Sequence, residues 1–158
     1  GADTPKYDLE SAPEQKFATG HLTEVQIREA CKQFIGDIQQ FPPAHSAVKI
    51  DGERLYEKAR RGEEVELRVR NITISAFEIT RIELPEVDFR VVCSKGTYIR
   101  SLANDFGIAL GNAAYLSRLR RTRSGNFKIE DAWEVMELVN AIRALNPVKS
   151  VRSGNESV

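Results

Sequence analysis

Between Val87 and Phe127 the hydrophobic period of the sequence changes from two to nearly four across a single glycine. Val87, Phe89, Val91 and Cys93 alternate with Asp88, Arg90 and Val92, which predicts a strand with one apolar face. Lys95-Gly96-Thr97 interrupts the alternation, and Gly96 can take backbone angles closed to other residues, so a sharp turn is expected there. Ile99, Leu102, Ala103, Phe106 and Leu110 then recur at helical spacing. Gly111 stands where a helix commonly ends. A strand, a tight turn and a helix in direct succession bring Tyr98 and Arg100 to the mouth of an otherwise apolar unit. Rigid elements at such a joint can hold functional side chains in place.

Charge gathers in the same region. Residues 95–128 carry seven basic side chains and one acid, a net +6, in a chain whose overall charge is zero. The rest of the chain is acidic. A concentrated basic segment in a neutral protein points to a phosphate-bearing partner, with a solvated basic face as the equally weighted alternative.

A length of 158 residues suits one domain with a sizeable core. Hydrophobic and charged fractions of 41% and 29% are those of a globular protein. No apolar run approaches the ~20 residues of a membrane helix, and no secretory leader opens the chain, so a cytoplasmic protein without membrane contact is expected. Cys31 and Cys93 lie on apolar stripes and read as buried free thiols. The two histidines, His21 and His45, are not near either cysteine in the sequence, and no metal site is expected.

Residues 1–19 read as a looped entry with room for a short strand. A helix is expected from Glu24 to about Phe34, started by a Thr23/Gln26 capping box and closed by Gly36. Pro42-Pro43 imposes an extended segment. Ala47–Ile50 reads as a strand, Asp51-Gly52 as a tight turn, and Arg54–Arg61 as a short helix. Val65–Val69 alternates as a half-exposed strand. Asn71–Leu84 is strand-rich and long enough to hold a bulge or bend, and Pro85-Glu86 turns into the strand after it. For Tyr115–Ser124, Leu116 and Leu119 favour a helix and the flanking residues allow a strand; it is read as a strand. Phe127–Ile129 forms another strand. Glu130-Asp131 opens a helix whose Ala132, Val135, Met136, Val139 and Ile142 face the core. The order of elements gives an α+β class, with a mainly antiparallel, mixed sheet flanked by helices.

Three long blocks, in order, resemble a known family. FPPAHSAVKIDGERLYEKARRGEEVE is similar to the PP-x-x-SA-x-K block of the TruB family of tRNA pseudouridine synthases. CSKGTYIRSLANDFGIALG is similar to its CS-x-GTYIR block, and AAYLSRLRRTRSGNF to its closing LRRT block. GADTPKYD resembles the family's DT-x-x-D segment. The resemblance covers roughly residues 2–130. It implies a pseudouridine synthase fold and an isomerase that converts a uridine in the T-arm loop of tRNA to pseudouridine without a cofactor.

The resemblance also assigns roles. Arg100 pairs with the nucleophilic aspartate, Tyr98 stacks on the flipped base, and Leu119 packs on the far side of the pocket. The plain alternatives are a surface ion pair for Arg100, a core tyrosine for Tyr98 and a core leucine for Leu119. Lys95 and the arginines at 118, 120, 121 and 123 are candidates for backbone phosphates. On a strand, Arg121 and Arg123 share one face and Arg118 and Arg120 the other, so one set alone reaches RNA. Lys49 serves either the site or turn packing.

The sequence departs from the family pattern in one large respect: no G-x-LDP segment with the nucleophilic aspartate is present. The chain therefore reads as the second half of the catalytic domain at residues 1–147, with a disordered tail at 148–158, and as inactive alone. His45 stands where the family often has tyrosine, and Tyr115 where it often has histidine. Self-association along a cut sheet edge is expected. The alternatives are an RNA-hairpin-binding module without chemistry and a structural half-domain that needs a partner.

Overall fold

A computed structural model describes residues 1–43, 49–50, 53–54 and 69–145. The chain divides into two compact units, Gly1–Arg118 and Leu119–Val158.

In the first unit, Thr23 and Gln26 form the expected capping box: the Thr23 hydroxyl accepts from the Gln26 N–H and the Gln26 side chain accepts from the Thr23 N–H. Helix α1 spans Glu24–Ala30 and tightens into a 3-10 turn at Cys31–Phe34, so the expected helix keeps its length and changes its winding. Gly36, at φ +102°, opens strand β1 (Gly36–Gln40), which the hydrophobic pattern did not signal. Two short strands, β2 (Lys49–Ile50) and β3 (Glu53–Arg54), pair antiparallel. Arg54 therefore stands in a strand and not at the start of a helix. The rest of that expected helix, the Asp51-Gly52 turn and most of the Val65–Val69 strand lie outside the described residues. Val69 is exposed and precedes β4.

Strands β4 (Arg70–Glu83) and β5 (Glu86–Cys93) form an antiparallel hairpin, and β1 adds to the other side of β4, giving the order β1-β4-β5. The length of β4 is explained by two register shifts against β5, between Ile74 and Ala76 and between Ile79 and Arg81. Each inserts one extra residue, so the inward side chains are spaced by three across it: Ile74 to Phe77, and Ile79 to Ile82. The expected bulge is present twice. Val87, Phe89, Val91 and Cys93 pack on the core as their alternation requires.

Helix α2 (Ile99–Ala109) buries Leu102 and Phe106 against Ile72, Ile74, Phe77 and Ile79 of the sheet, with Ile27 and Cys31 beside them. Phe77 meets Phe89 and Phe106 with ring centroids 5.2 Å apart in each case. Gly111, at φ +63°, ends the helix as expected: its N–H bonds the Ile108 carbonyl and the Asn112 N–H bonds the Gly107 carbonyl.

Beyond Gly111 the chain departs further from expectation. Residues 115–122 form no strand. Only Arg123–Ser124 (β6) pairs, with Phe127–Lys128 (β7), around a turn in which Gly125 has φ +60°. Ile129 leaves the strand to begin a 3-10 turn, Ile129–Asp131. Ala132 is extended at ψ 144°, so helix α3 starts at Val135, runs to Leu145, and excludes Glu130 and Asp131. Its apolar side chains do not form a core: Val135, Met136 and Ile142 are exposed, and no residue of α3 is buried. All named strand pairs are antiparallel; the parallel contact is an isolated bridge between Asp8 and Leu116. No helix among the described residues is long and apolar enough to cross a membrane.

Candidate active site

The joint between β5 and α2 is built by local hydrogen bonds. The Ser94 N–H bonds the Thr73 carbonyl at 2.8 Å, and the Thr97 hydroxyl donates to the Ser94 carbonyl at 2.9 Å. Gly96 turns the chain at φ +84°. Tyr98 then occupies the N-cap position of α2 and has no side-chain cap of its own. Its backbone is held from outside the helix. Gln40, at the end of β1 and 2% exposed, donates from Nε2 to the Tyr98 carbonyl at 3.0 Å and accepts the Tyr98 N–H on Oε1 at 2.8 Å. Arg70, the register partner of Gln40, places its guanidinium 5.8 Å from the centre of the Tyr98 ring.

Arg100 lies in the first turn of α2, where the helix dipole disfavours a cation and no acidic residue shares the turn. A carboxylate from elsewhere compensates. The Arg100 guanidinium donates to Asp8 Oδ2 at 2.7 Å and, more weakly, to the Lys6 carbonyl at 3.4 Å. The side chains of Arg100 and Asp8 are only 23% and 16% exposed, which separates this pair from the ordinary surface bridges of the chain.

Asp8 is set by its own loop. The buried Thr4 donates its hydroxyl to the Asp8 carbonyl at 2.8 Å. Tyr7 takes φ +61°, an uncommon conformation for a bulky residue, and its carbonyl accepts the Leu116 N–H at 2.9 Å. The other Asp8 oxygen accepts the Glu10 N–H at 3.0 Å. Both oxygens are thus engaged, one by the loop and one by Arg100.

Tyr98, Arg100 and, in the turn before them, the exposed Lys95 belong to the first unit. Leu119 (61% exposed), Arg121 and Arg123 belong to the second. Because 118–122 is not a strand, the expected division of the arginines between two faces lapses; Arg118, Arg120, Arg121 and Arg123 are all exposed. None of the four forms an ion pair among the described residues. The Lys49 backbone pairs with Arg54, and its side chain is outside the described residues. Cys31 is a buried thiol pushed up to about 11 by desolvation, and Cys93 is a half-buried free thiol, close to expectation for both.

Asp8, Gln40 and Arg70 were not singled out from the sequence. Asp8 had a signal, since it ends the DT-x-x-D-like segment. Gln40 had none, because a glutamine at a strand end ordinarily reads as exposed.

A family model for the N-terminal domain of TruB family pseudouridylate synthases matches residues 1–99. The chain belongs to the TruB family. A second model, for the tRNA pseudouridylate synthase B C-terminal domain, matches residues 100–150. The boundary between the two matches falls between Tyr98 and Arg100, inside the joint just described. Over 135 residues this TruB chain is 57% identical to the tRNA pseudouridine synthase B of Flavobacterium johnsoniae, covering 85% of the chain and 59% of that protein. It is 48% identical to the protein of the same name from Phocaeicola vulgatus, covering 85% of the chain and 57% of that protein. The chain therefore spans less than two thirds of the length of these relatives. Among solved structures, a crystal structure of a Cbf5-Nop10-Gar1 complex is similar, with a TM-score of 0.62 and 39% identity, covering 78% of this chain and 33% of the other.

Proposed function

We propose that this chain is part of a cytoplasmic tRNA pseudouridine synthase that isomerises a uridine in the T-arm loop of tRNA. The observation that carries the reading is the Tyr98–Arg100 joint in a TruB chain, with a largely desolvated guanidinium fixed at the start of α2. The names of the relatives supply the reaction class. Pseudouridine formation breaks the bond from the sugar to N1 and makes one to C5, releasing the C5 hydrogen. The base must leave its stack, at a cost of a few kcal/mol that pocket contacts offset. In this reading Tyr98 stacks on the flipped base, Leu119 packs across the pocket, and Arg100 presents its charge to a nucleophilic aspartate supplied by a G-x-LDP segment upstream of residue 1. Lys95, Arg121 and Arg123, with Lys49, hold the RNA. Residues 1–147 are then the second part of the catalytic domain.

The test is tritium release from a T-arm stem-loop labelled at uridine C5. The longer protein should turn over, and the 158-residue chain alone should not. Turnover by the short chain at the rate of the longer one would remove the missing-nucleophile part of the reading. RNA binding without turnover by the longer protein would favour the alternative of a hairpin-binding module, for which the exposed arginines speak.

The short chain alone is also expected to self-associate. Strands β1 and β5 flank the sheet, and each has an outer edge unpaired among the described residues. Sedimentation velocity at rising concentration should show dimer. A single monomer boundary across the range would argue against it.

A further inference from the structure

We infer that Gln40 is a positioning residue for the reaction, acting through the backbone of Tyr98. The inference rests on the proposed function for its catalytic meaning and on geometry for its physical content. Gln40 is 2% exposed and uses both ends of its amide on one residue, accepting the Tyr98 N–H at 2.8 Å and donating to the Tyr98 carbonyl at 3.0 Å. That is the hydrogen-bond pattern of a strand neighbour, supplied by a side chain. The Tyr98 carbonyl also accepts the Leu102 N–H at 3.0 Å, the first bond of α2. Gln40 therefore holds the residue from which the helix starts.

Neighbouring contacts reinforce the strap. Ser101, buried at 2% exposure, donates its hydroxyl to the Phe41 carbonyl at 2.8 Å. The end of β1 thus grips residues 98 and 101, on either side of Arg100. Arg70, opposite Gln40 in the ladder, lies over the Tyr98 ring. The amide fixes the backbone, the guanidinium limits the ring, and Arg100 inherits its direction from the helix start. At 2% exposure, with both amide atoms engaged by Tyr98, Gln40 has no surface to offer RNA and acts through Tyr98 and Arg100.

A shift of about 1 Å at a reacting group can cost on the order of a hundredfold in rate. In the full-length protein, Gln40→Ala should lower the single-turnover rate by about tenfold to a hundredfold with RNA affinity unchanged. Gln40→Glu keeps the acceptor for the Tyr98 N–H and should recover part of the loss. In an Arg100→Ala background, Gln40→Ala should add little, on the order of threefold or less, because the two act on one element.

Hydrogen exchange gives a readout independent of activity. The Tyr98 amide should lose protection in Gln40→Ala and keep most of it in Gln40→Glu, while the Phe77 amide in the sheet stays protected in both. If Gln40→Ala fails to fold, Gln40→Met, which fills the buried site and lacks both amide contacts, carries both measurements with the losses expected of alanine. An unchanged Tyr98 amide, a loss confined to RNA affinity, or full additivity with Arg100→Ala would overturn the inference. A wild-type protein that binds RNA and releases no tritium would instead defeat the proposed function, and the exchange experiment would still decide whether Gln40 holds Tyr98.

Discussion

In the full-length protein, Arg100→Ala is expected to lower the single-turnover rate of pseudouridine formation by on the order of a hundredfold to a thousandfold, the loss typical of removing one preorganised charge-stabilising donor. RNA affinity should change far less, because phosphate contacts elsewhere supply most of it. Two consequences of the geometry combine. The alanine removes a charge that sits at the start of α2, and it leaves Asp8 without its 2.7 Å partner. Exposed ion pairs contribute about 0–1 kcal/mol, whereas removing one member of a buried pair costs about 3–5 kcal/mol. With exposures of 23% and 16%, this pair lies between those limits, and a measurable loss of stability should accompany the loss of rate. Arg100→Lys keeps a cation but replaces the broad, planar guanidinium, whose Nη1 meets both Asp8 and the Lys6 carbonyl, with a shorter ammonium, so it should restore only part of the rate. Rate and binding should be measured on the same preparations. Lost affinity with untouched chemistry would make Arg100 a phosphate contact.

The second large effect is expected in salt. Arg118, Arg120, Arg121 and Arg123 are all exposed. If about four phosphates are neutralised, the affinity for a T-arm stem-loop should fall with a log–log slope near −3, or roughly 50–100-fold between 50 and 200 mM salt. Reversing Arg121 and Arg123 to glutamate should weaken binding at low salt and make the slope shallower by about 2. Single reversals at Arg118 and Arg120 should now matter too, because the segment lacks the alternation that would have turned them away. Binding that is flat across this range would remove the phosphate assignment.

The first unit was legible because its local signals agree with one another. The capping box at Thr23 and Gln26, the left-handed glycines at 96 and 111, and the alternation from Val87 to Cys93 each use short-range geometry that the sequence states directly. Strand β1 was missed because Asp37, Gln39 and Gln40 dilute its apolar pattern, and its pairing with β4 is a long-range choice. The second unit misled for a different reason. Helical spacing in Val135–Ile142 reports an apolar face, and spacing alone does not say what that face packs against. At the candidate site, Tyr98 and Arg100 were found through their motif. Asp8 and Gln40 reach them across 92 and 58 positions of sequence, which no local pattern encodes.

The path from Arg100 back to itself has a mechanical consequence. It runs down α2 to Gly111, returns through residues 112–116, crosses from the Leu116 N–H to the Tyr7 carbonyl, and closes from Asp8 onto the guanidinium. The helix and the ion pair are two sides of one closed circuit, and at Gly107 its two sides come into close contact. A Cβ at Gly107 would lie 2.5 Å from the Ala114 backbone nitrogen, so no side chain fits there without pushing the returning strand of the circuit outward. The alignment of a carboxylate with a guanidinium is thereby geared to the thickness of a helix nearly two turns away. Sequence change that never touches a charged residue can retune that alignment.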